Sequence, residues 1–265
     1  MNKGKERAIR LREEIGIDDP SEVEIEDVVS VYNGIIQYKN LGAIDGRIVY
    51  GKKISTIYIN SEIQYQGRRQ FAIAHELGHL LMHKGSLIHD DKNSLSWFNN
   101  AEQQLKKGKQ EFEANQFASE YLMPSDIFSI IARQSFFGPD LIRGLSDKFG
   151  ASLTSVAFKC FDVDIYPIAM FHIFDGTVKY WKRSKDFRGF LKNISKLPPP
   201  EDSVAKEYID SNYNPIYEKH ELVQSIDKST WCDLREGEED SEFNEYCIVT
   251  RSYKCILSII WESET

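Results

Sequence analysis

The 265-residue chain is 41% hydrophobic, 28% charged and 12% aromatic, an ordinary globular balance that excludes extended disorder. Its net charge of −8 disfavours nucleic acid or an anionic membrane surface as a partner. The charged N-terminus MNKGKERAIRLREEIG lacks the apolar core of an export signal, and no apolar run approaches the ~20 residues that span a bilayer, so a soluble cytoplasmic protein is expected.

Residues 3–15 read as a charged amphipathic helix. Ser21 followed by Glu24 predicts a capping box for a second helix, which carries Val23, Val28, Val29 and Val31 and stops at Asn33-Gly34. Three β-rich runs follow at 35–38, 47–50 and 54–60. Gly42, Asp45-Gly46 and Gly51-Lys52 separate them, as the turns of a small antiparallel sheet would. Residues 68–83 form a clear helix ended by Gly85. Residues 84–108 show no sustained period, and a helix over 109–123 comes next. Pro124 interrupts it and opens a helix over 125–134, and shorter helices at 139–149 and 152–161 meet at Gly150.

After residue 162 the texture turns to strands: PIAMFHIF, TVKYWKR, EYCIVTR and KCILSIIW. Residues 195–203, with Pro198-Pro199-Pro200, read as a stiff loop, and residues 236–245 as an acidic one. Cys160, Cys232, Cys247 and Cys255 stand at irregular spacings and read as reduced thiols. The expected fold class is α+β, with a helical catalytic domain over 1–162 and a strand-rich domain over 163–265.

The chemistry concentrates in FAIAHELGHLLMH, where His75-Glu76-x-x-His79 gives the H-E-x-x-H pattern of zinc peptidases. Four residues advance a helix by about 40° beyond one turn, so both imidazoles share a face and can hold one tetrahedral ion. Glu76 lies beside them, placed to act as general base toward a water activated by the metal. Ile73, Leu77 and Leu80 fall on the opposite side, for a core. Gly78 lies next to the ligand face, where a missing side chain leaves room for substrate. A third ligand is needed, and the helix over 109–123 offers Glu111 and Glu113. With Glu111 at zero, Asn115, Ala118 and Leu122 share its sector, whereas Glu113 falls with Gln116 and Glu120 on a stripe that reads as solvated. This favours Glu111 as the ligand, with Asn115 able to hydrogen-bond a ligand from one turn on. His83 is rotated about 80° from His75 and supports or packs against the site rather than ligating. His89, His172 and His220 have no motif around them. Tyr58 and Tyr121 could stabilise an oxyanion, though nothing singles them out.

The strings RRQFAIAHELGHLLMHKG and EFEANQFASEYLMP, with IYINSE ahead of them, resemble the ImmA/IrrE family of metallopeptidases. The resemblance covers residues 10–130 well and reaches weakly to 160. Glu111, Asn115, Phe117-Ala118 and Leu122-Met123-Pro124 match the family's second motif, which carries the ligand role to Glu111. The resemblance implies a zincin-like, gluzincin-type domain with a sheet edge above the active helix, and one zinc per chain. It also implies a protein substrate: a helix-turn-helix repressor of mobile elements or stress responses, cleaved to relieve repression. Residues 125–160, and 139–160 above all, resemble the family's helix-turn-helix-like tail, read here as packing or docking rather than DNA reading. No direct nucleic-acid or membrane partner is expected. Residues 163–265 match nothing specific, although some relatives carry a sensor-like domain there. The alternative is a catalytically silent peptidase fold that sequesters a regulator, and the retained base Glu76 argues against it. A DNA-binding regulator built on 125–160 is disfavoured by the acidic chain.

Overall fold

Helix α1 (Lys3–Ile15) begins where the Asn2 side chain accepts the Gly4 N–H at 3.0 Å. It stops at Gly16, whose φ of 69° is a left-handed cap conformation that glycine adopts without a Cβ clash. These elements come from a computed structural model, which describes residues 2–84 and 108–263. The expected capping box at Ser21 and Glu24 does not form. Asp19 instead accepts the Ser21 N–H and caps a 3₁₀ turn, Pro20–Glu22, and α2 (Ile25–Val31) starts after Glu24 with no side-chain cap. Proline at the first position of the turn favours this tighter geometry.

The three predicted strands are present as β1 (Gly34–Lys39), β2 (Gly46–Val49) and β3 (Ser55–Asn60), but the sheet is mixed rather than antiparallel. Its order is β1-β3-β2, with β1 parallel to β3 and β2 antiparallel to it. The central place goes to the strand with the most apolar inward face. Ile57 and Ile59 of β3 are fully buried, whereas Ile35 and Tyr38 of the edge strand β1 remain exposed. Helix α3 (Gln66–Met82) packs beneath this sheet. Ile73 and Leu77 join Ile48, Ile57, Ile59, Val28 and Val29 in one core, where each buried aliphatic side chain contributes about 1.5–3 kcal/mol.

Among the described residues the next helices are α4 (Lys109–Leu122), α5 (Ser125–Ala132), α6 (Pro139–Phe149) and α7 (Leu153–Val163). The chain divides into two compact units, one of Met1–Ile131 with Leu145–Ser155, the other of Ala132–Gly144 with Val156–Thr265.

The second unit is built on β4 (Ile168–Phe174), β5 (Thr177–Arg183), a short β6 (Phe190–Leu191), α8 (Val204–Asp210), β7 (Val223–Asp227), α9 (Lys228–Trp231), β8 (Cys232–Asp233), β9 (Glu242–Thr250) and β10 (Cys255–Glu262). Five strands form one antiparallel sheet ordered β5-β4-β10-β9-β7. Its core stacks Phe171 on Trp231 at 4.0 Å between ring centroids. The expected acidic loop over 236–245 is shorter, because β9 begins at Glu242 and Glu245 is fully buried. Glu245 accepts from the Trp231 indole at 2.9 Å, the Ser258 hydroxyl at 2.7 Å, and the first backbone N–H groups of α8 at 3.0 and 3.1 Å. A carboxylate this well satisfied can lie inside a sheet. All four cysteines are free thiols. Among the described residues no helix is long and apolar enough to cross a membrane.

Candidate metal centre

The one-turn spacing on α3 brings His75 and His79 together with their Nε2 atoms 3.0 Å apart, at 2% and 1% exposure. Glu111 of α4 reaches across to them. Its Oε2 lies 3.2 Å from His75 Nε2 and its Oε1 lies 3.3 Å from His79 Nε2. One donor atom from each of the three residues falls within 4.8 Å of the others, so the group could hold a metal ion. Asn115 Oδ1 sits 2.8 Å from His75 Nδ1, one turn beyond Glu111 as its place on the helix suggested.

Close helix packing makes this convergence possible. A Cβ added to Gly78 would lie 3.0 Å from Phe117 Cδ1 and 3.3 Å from Ala114 Cα of α4. Gly78 therefore admits the neighbouring helix, not substrate, which corrects the sequence expectation. The predicted solvated stripe on α4 is also corrected: Glu113 and Glu120 are 4% and 3% exposed. Helix α1 covers them, approaching so closely that a Cβ on Gly4 would meet the Glu113 carbonyl oxygen at 2.0 Å. Lys3 Nζ lies 3.4 Å from Glu113, and Lys5 Nζ lies 3.4 Å from Glu120. Glu120 also accepts the Ser125 N–H at 3.0 Å, holding the start of α5. His83 follows the ligand face rather than joining it, with its Nδ1 2.9 Å from His79 Nδ1 and its Nε2 3.0 Å from Glu113.

Glu76, 2% exposed, is overlaid by β2 at a glycine. A Cβ on Gly46 would stand 3.0 Å from both Cγ and Oε1 of Glu76. The strand is held there by the residue before it. Asp45 accepts from Arg68 of α3 through two bonds, at 2.9 Å from Nε and 2.7 Å from Nη2. Tyr50 just beyond β2 was not foreseen. Its hydroxyl donates to the His79 carbonyl at 3.0 Å, and burial, then the charges of Glu76 and Glu111, push its phenol up to about 12. A tyrosine at the end of a strand that starts with Asp-Gly was the only signal for it. Tyr121 is buried and stacked on Phe117, inside the core. Tyr58 lies under the Arg47 guanidinium on β3.

Burial holds the His79 imidazole down to about 4, so it is neutral near pH 7, the form that can ligate. For Glu111, burial raises the carboxyl, but the contacts of His75 and then His79 outweigh it and hold the group ionised well below the usual carboxylate range. Of the other histidines, His172 is buried in β4 and stacked on Tyr180, and His220 is exposed. His89 lies outside the described residues.

A solved structure of a Mycobacterium tuberculosis transcriptional regulator matches with a TM-score of 0.57 at 11% identity, over 98% of this chain and 87% of that one, a likeness of fold. No curated protein matches. Residues 34–161 match the family described as the IrrE N-terminal-like domain, which is a peptidase family, and the match spans α3, α4 and every residue of the candidate centre. Over this segment the chain resembles the ImmA/IrrE peptidase family.

Proposed function

We propose that the protein is a zinc-dependent endopeptidase, with His75, His79 and Glu111 as metal ligands and Glu76 as general base. The observation that carries this reading is the convergence of two buried imidazole nitrogens and one partly buried carboxylate within 4.8 Å. Two nitrogen lone pairs and an anionic oxygen at this distance repel one another unless a proton or a metal cation lies between them, and one metal ion can take all three. Two imidazoles and one carboxylate with an open fourth position are the donor set of a catalytic zinc site, one ion per chain. When bound, the ion would polarise the scissile carbonyl and make a water acidic enough to attack at neutral pH. Glu76 would take that water's proton and pass it to the leaving amine, and its carboxylate is held for this between α3 and Gly46. The Tyr50 hydroxyl, fixed to the His79 carbonyl, keeps β2 in register over α3. Among the described residues β2 is an edge strand, and its outer edge would offer backbone groups to an extended substrate chain, as a zincin arrangement would.

The family supports a protein substrate, and a helix-turn-helix repressor is the proposed one, consistent with a cytoplasmic enzyme in transcription regulation and stress response. The domain reading is kept: a peptidase domain over 1–162 with a helix-turn-helix-like tail, and residues 163–265 as a sensor-like domain. The test co-expresses the nearest-encoded helix-turn-helix regulator with wild type or Glu76→Gln and weighs it by intact mass. Fragments with wild type alone support the enzyme. An intact regulator in both, from a wild type that carries zinc, favours the alternative of a silent fold that sequesters its partner.

A further inference from the structure

The buried pair His83 and Glu113 stands behind the centre and has no part in the reading above. His83 is 4% exposed and Glu113 is also 4% exposed, on α3's C-terminal cap and on α4. They form a chain of contacts: Glu113 Oε2 to His83 Nε2 at 3.0 Å, then His83 Nδ1 to His79 Nδ1 at 2.9 Å. Lys3 and Lys109 reach Glu113 at 3.4 and 3.7 Å, so the carboxylate is flanked by two cations.

Hydrogen-bond direction along this chain follows from the chemistry of its end. An ionised carboxylate can only accept, so His83 Nε2 carries the proton it donates to Glu113. The neutral ring's other nitrogen, Nδ1, is then an acceptor, and His79 Nδ1 must donate to it. That leaves the lone pair of His79 on Nε2, the atom facing His75 and Glu111. On the other imidazole, Asn115 Oδ1 does the same work in one step by accepting from His75 Nδ1.

We infer that His83 and Glu113 are positioning residues, which fix the tautomer and ring orientation of His79 so that its Nε2 points at the metal. The inference rests on the proposed metal centre and deepens it. It makes the two ligand histidines unequal, one held by a neutral amide and the other by an anion through a second imidazole. Groups that accept from a ligand imidazole raise its basicity and limit its rotation, and their loss weakens metal affinity.

The test measures zinc affinity of the full chain by competition with a chromophoric chelator, and the visible absorption of the cobalt-substituted protein. His83→Ala is expected to weaken zinc binding roughly 10- to 100-fold and to shift the cobalt bands. Glu113→Gln, isosteric and independent of whether the alanine variant folds, is expected to weaken it about 10-fold. Glu120→Gln is the control: it sits on the same face of α4, is equally buried and pairs with a lysine of α1, but makes no contact with His83 in the bonds described. It is expected to leave zinc affinity unchanged. Zinc affinity at the wild-type level in both His83→Ala and Glu113→Gln would overturn the inference while sparing the peptidase reading, and so would an equal loss in Glu120→Gln. A wild type that binds zinc but cuts nothing would sink the peptidase reading and leave the inference supported by the affinity series. A wild type that takes up no zinc would overturn both.

Discussion

Each unit of the molecule holds a carboxylate largely out of water, Glu245 fully buried and Glu111 partly so, and the two are solved in opposite ways. Glu245 in the second unit is ringed by donors of its own chain: an indole N–H, a hydroxyl and two helix-terminal N–H groups, at 2.7 to 3.1 Å. Glu111 in the first unit faces two imidazole nitrogens whose backs are already engaged, His75 by Asn115 and His79 by His83. A carboxylate whose neighbours are hydrogen-bond donors is a closed structural knot. One whose neighbours are ligating nitrogens is half of a site that a cation completes. Burial alone does not separate the two cases; the chemistry of the surrounding atoms does.

The comparison breaks most visibly on metal content. Glu111→Ala should reduce bound zinc from about one per chain to near none, measured by elemental analysis of the purified protein, because two imidazoles alone hold the ion weakly. Glu245→Leu should leave zinc content untouched. It should instead cost about 3–5 kcal/mol in urea unfolding, since several buried donors lose their acceptor together. If Glu245→Leu lost zinc, the two carboxylates would not be independent.

A milder change sharpens the first half. Gly46→Ala places a methyl group 3.0 Å from Glu76 Cγ and Oε1. Displacing the base should slow turnover roughly 10- to 100-fold. Zinc content should stay at the wild-type level. A rate equal to wild type would show that Glu76 does not need its overlying strand.

The second unit should respond to acid through His172. Burial holds this imidazole down to about 4 in the folded protein, against 6.5 as its ordinary value. The folded state therefore stays neutral while the unfolded chain takes up a proton, and stability is present above pH 6.5 and lost as pH falls toward 4. Between pH 7 and pH 5 the loss from this residue should be about 2 kcal/mol. His172→Phe should remove that part of the pH dependence, read from urea unfolding at the two pH values.

Much of the first unit was legible as period and punctuation. The four-residue spacing of His75 and His79 and the apolar stripe of Ile73 and Leu77 required only helix geometry. Glu111 was separated from Glu113 on the premise that the inward carboxylate ligates and the other is solvated. The structure brings Glu111 to the histidines, yet Glu113 is buried too, under a helix more than 100 residues earlier in the chain. Helical period says which residues share a face, not how many faces are covered. The parallel pairing of β1 with β3 escaped for a related reason, since turn residues report where a chain reverses and not which strand takes the centre. In the strand-rich half, PIAMFHIF and KCILSIIW were plain, but β7 and α8 were missed because VQSID and VAKEYID are too short and polar to stand out.

By itself the sequence determined the order of helices and strands in the first unit, the shared helical face of His75 and His79, and the family motif, because these depend on neighbours within a few turns. The tertiary structure decided the rest. It set which carboxylates lie inside, that Gly78 admits a helix and Gly46 overlies Glu76, and that His83 leads from His79 to Glu113. Each of these is a contact between segments far apart in the chain, whose free energy depends on close packing that no local pattern encodes.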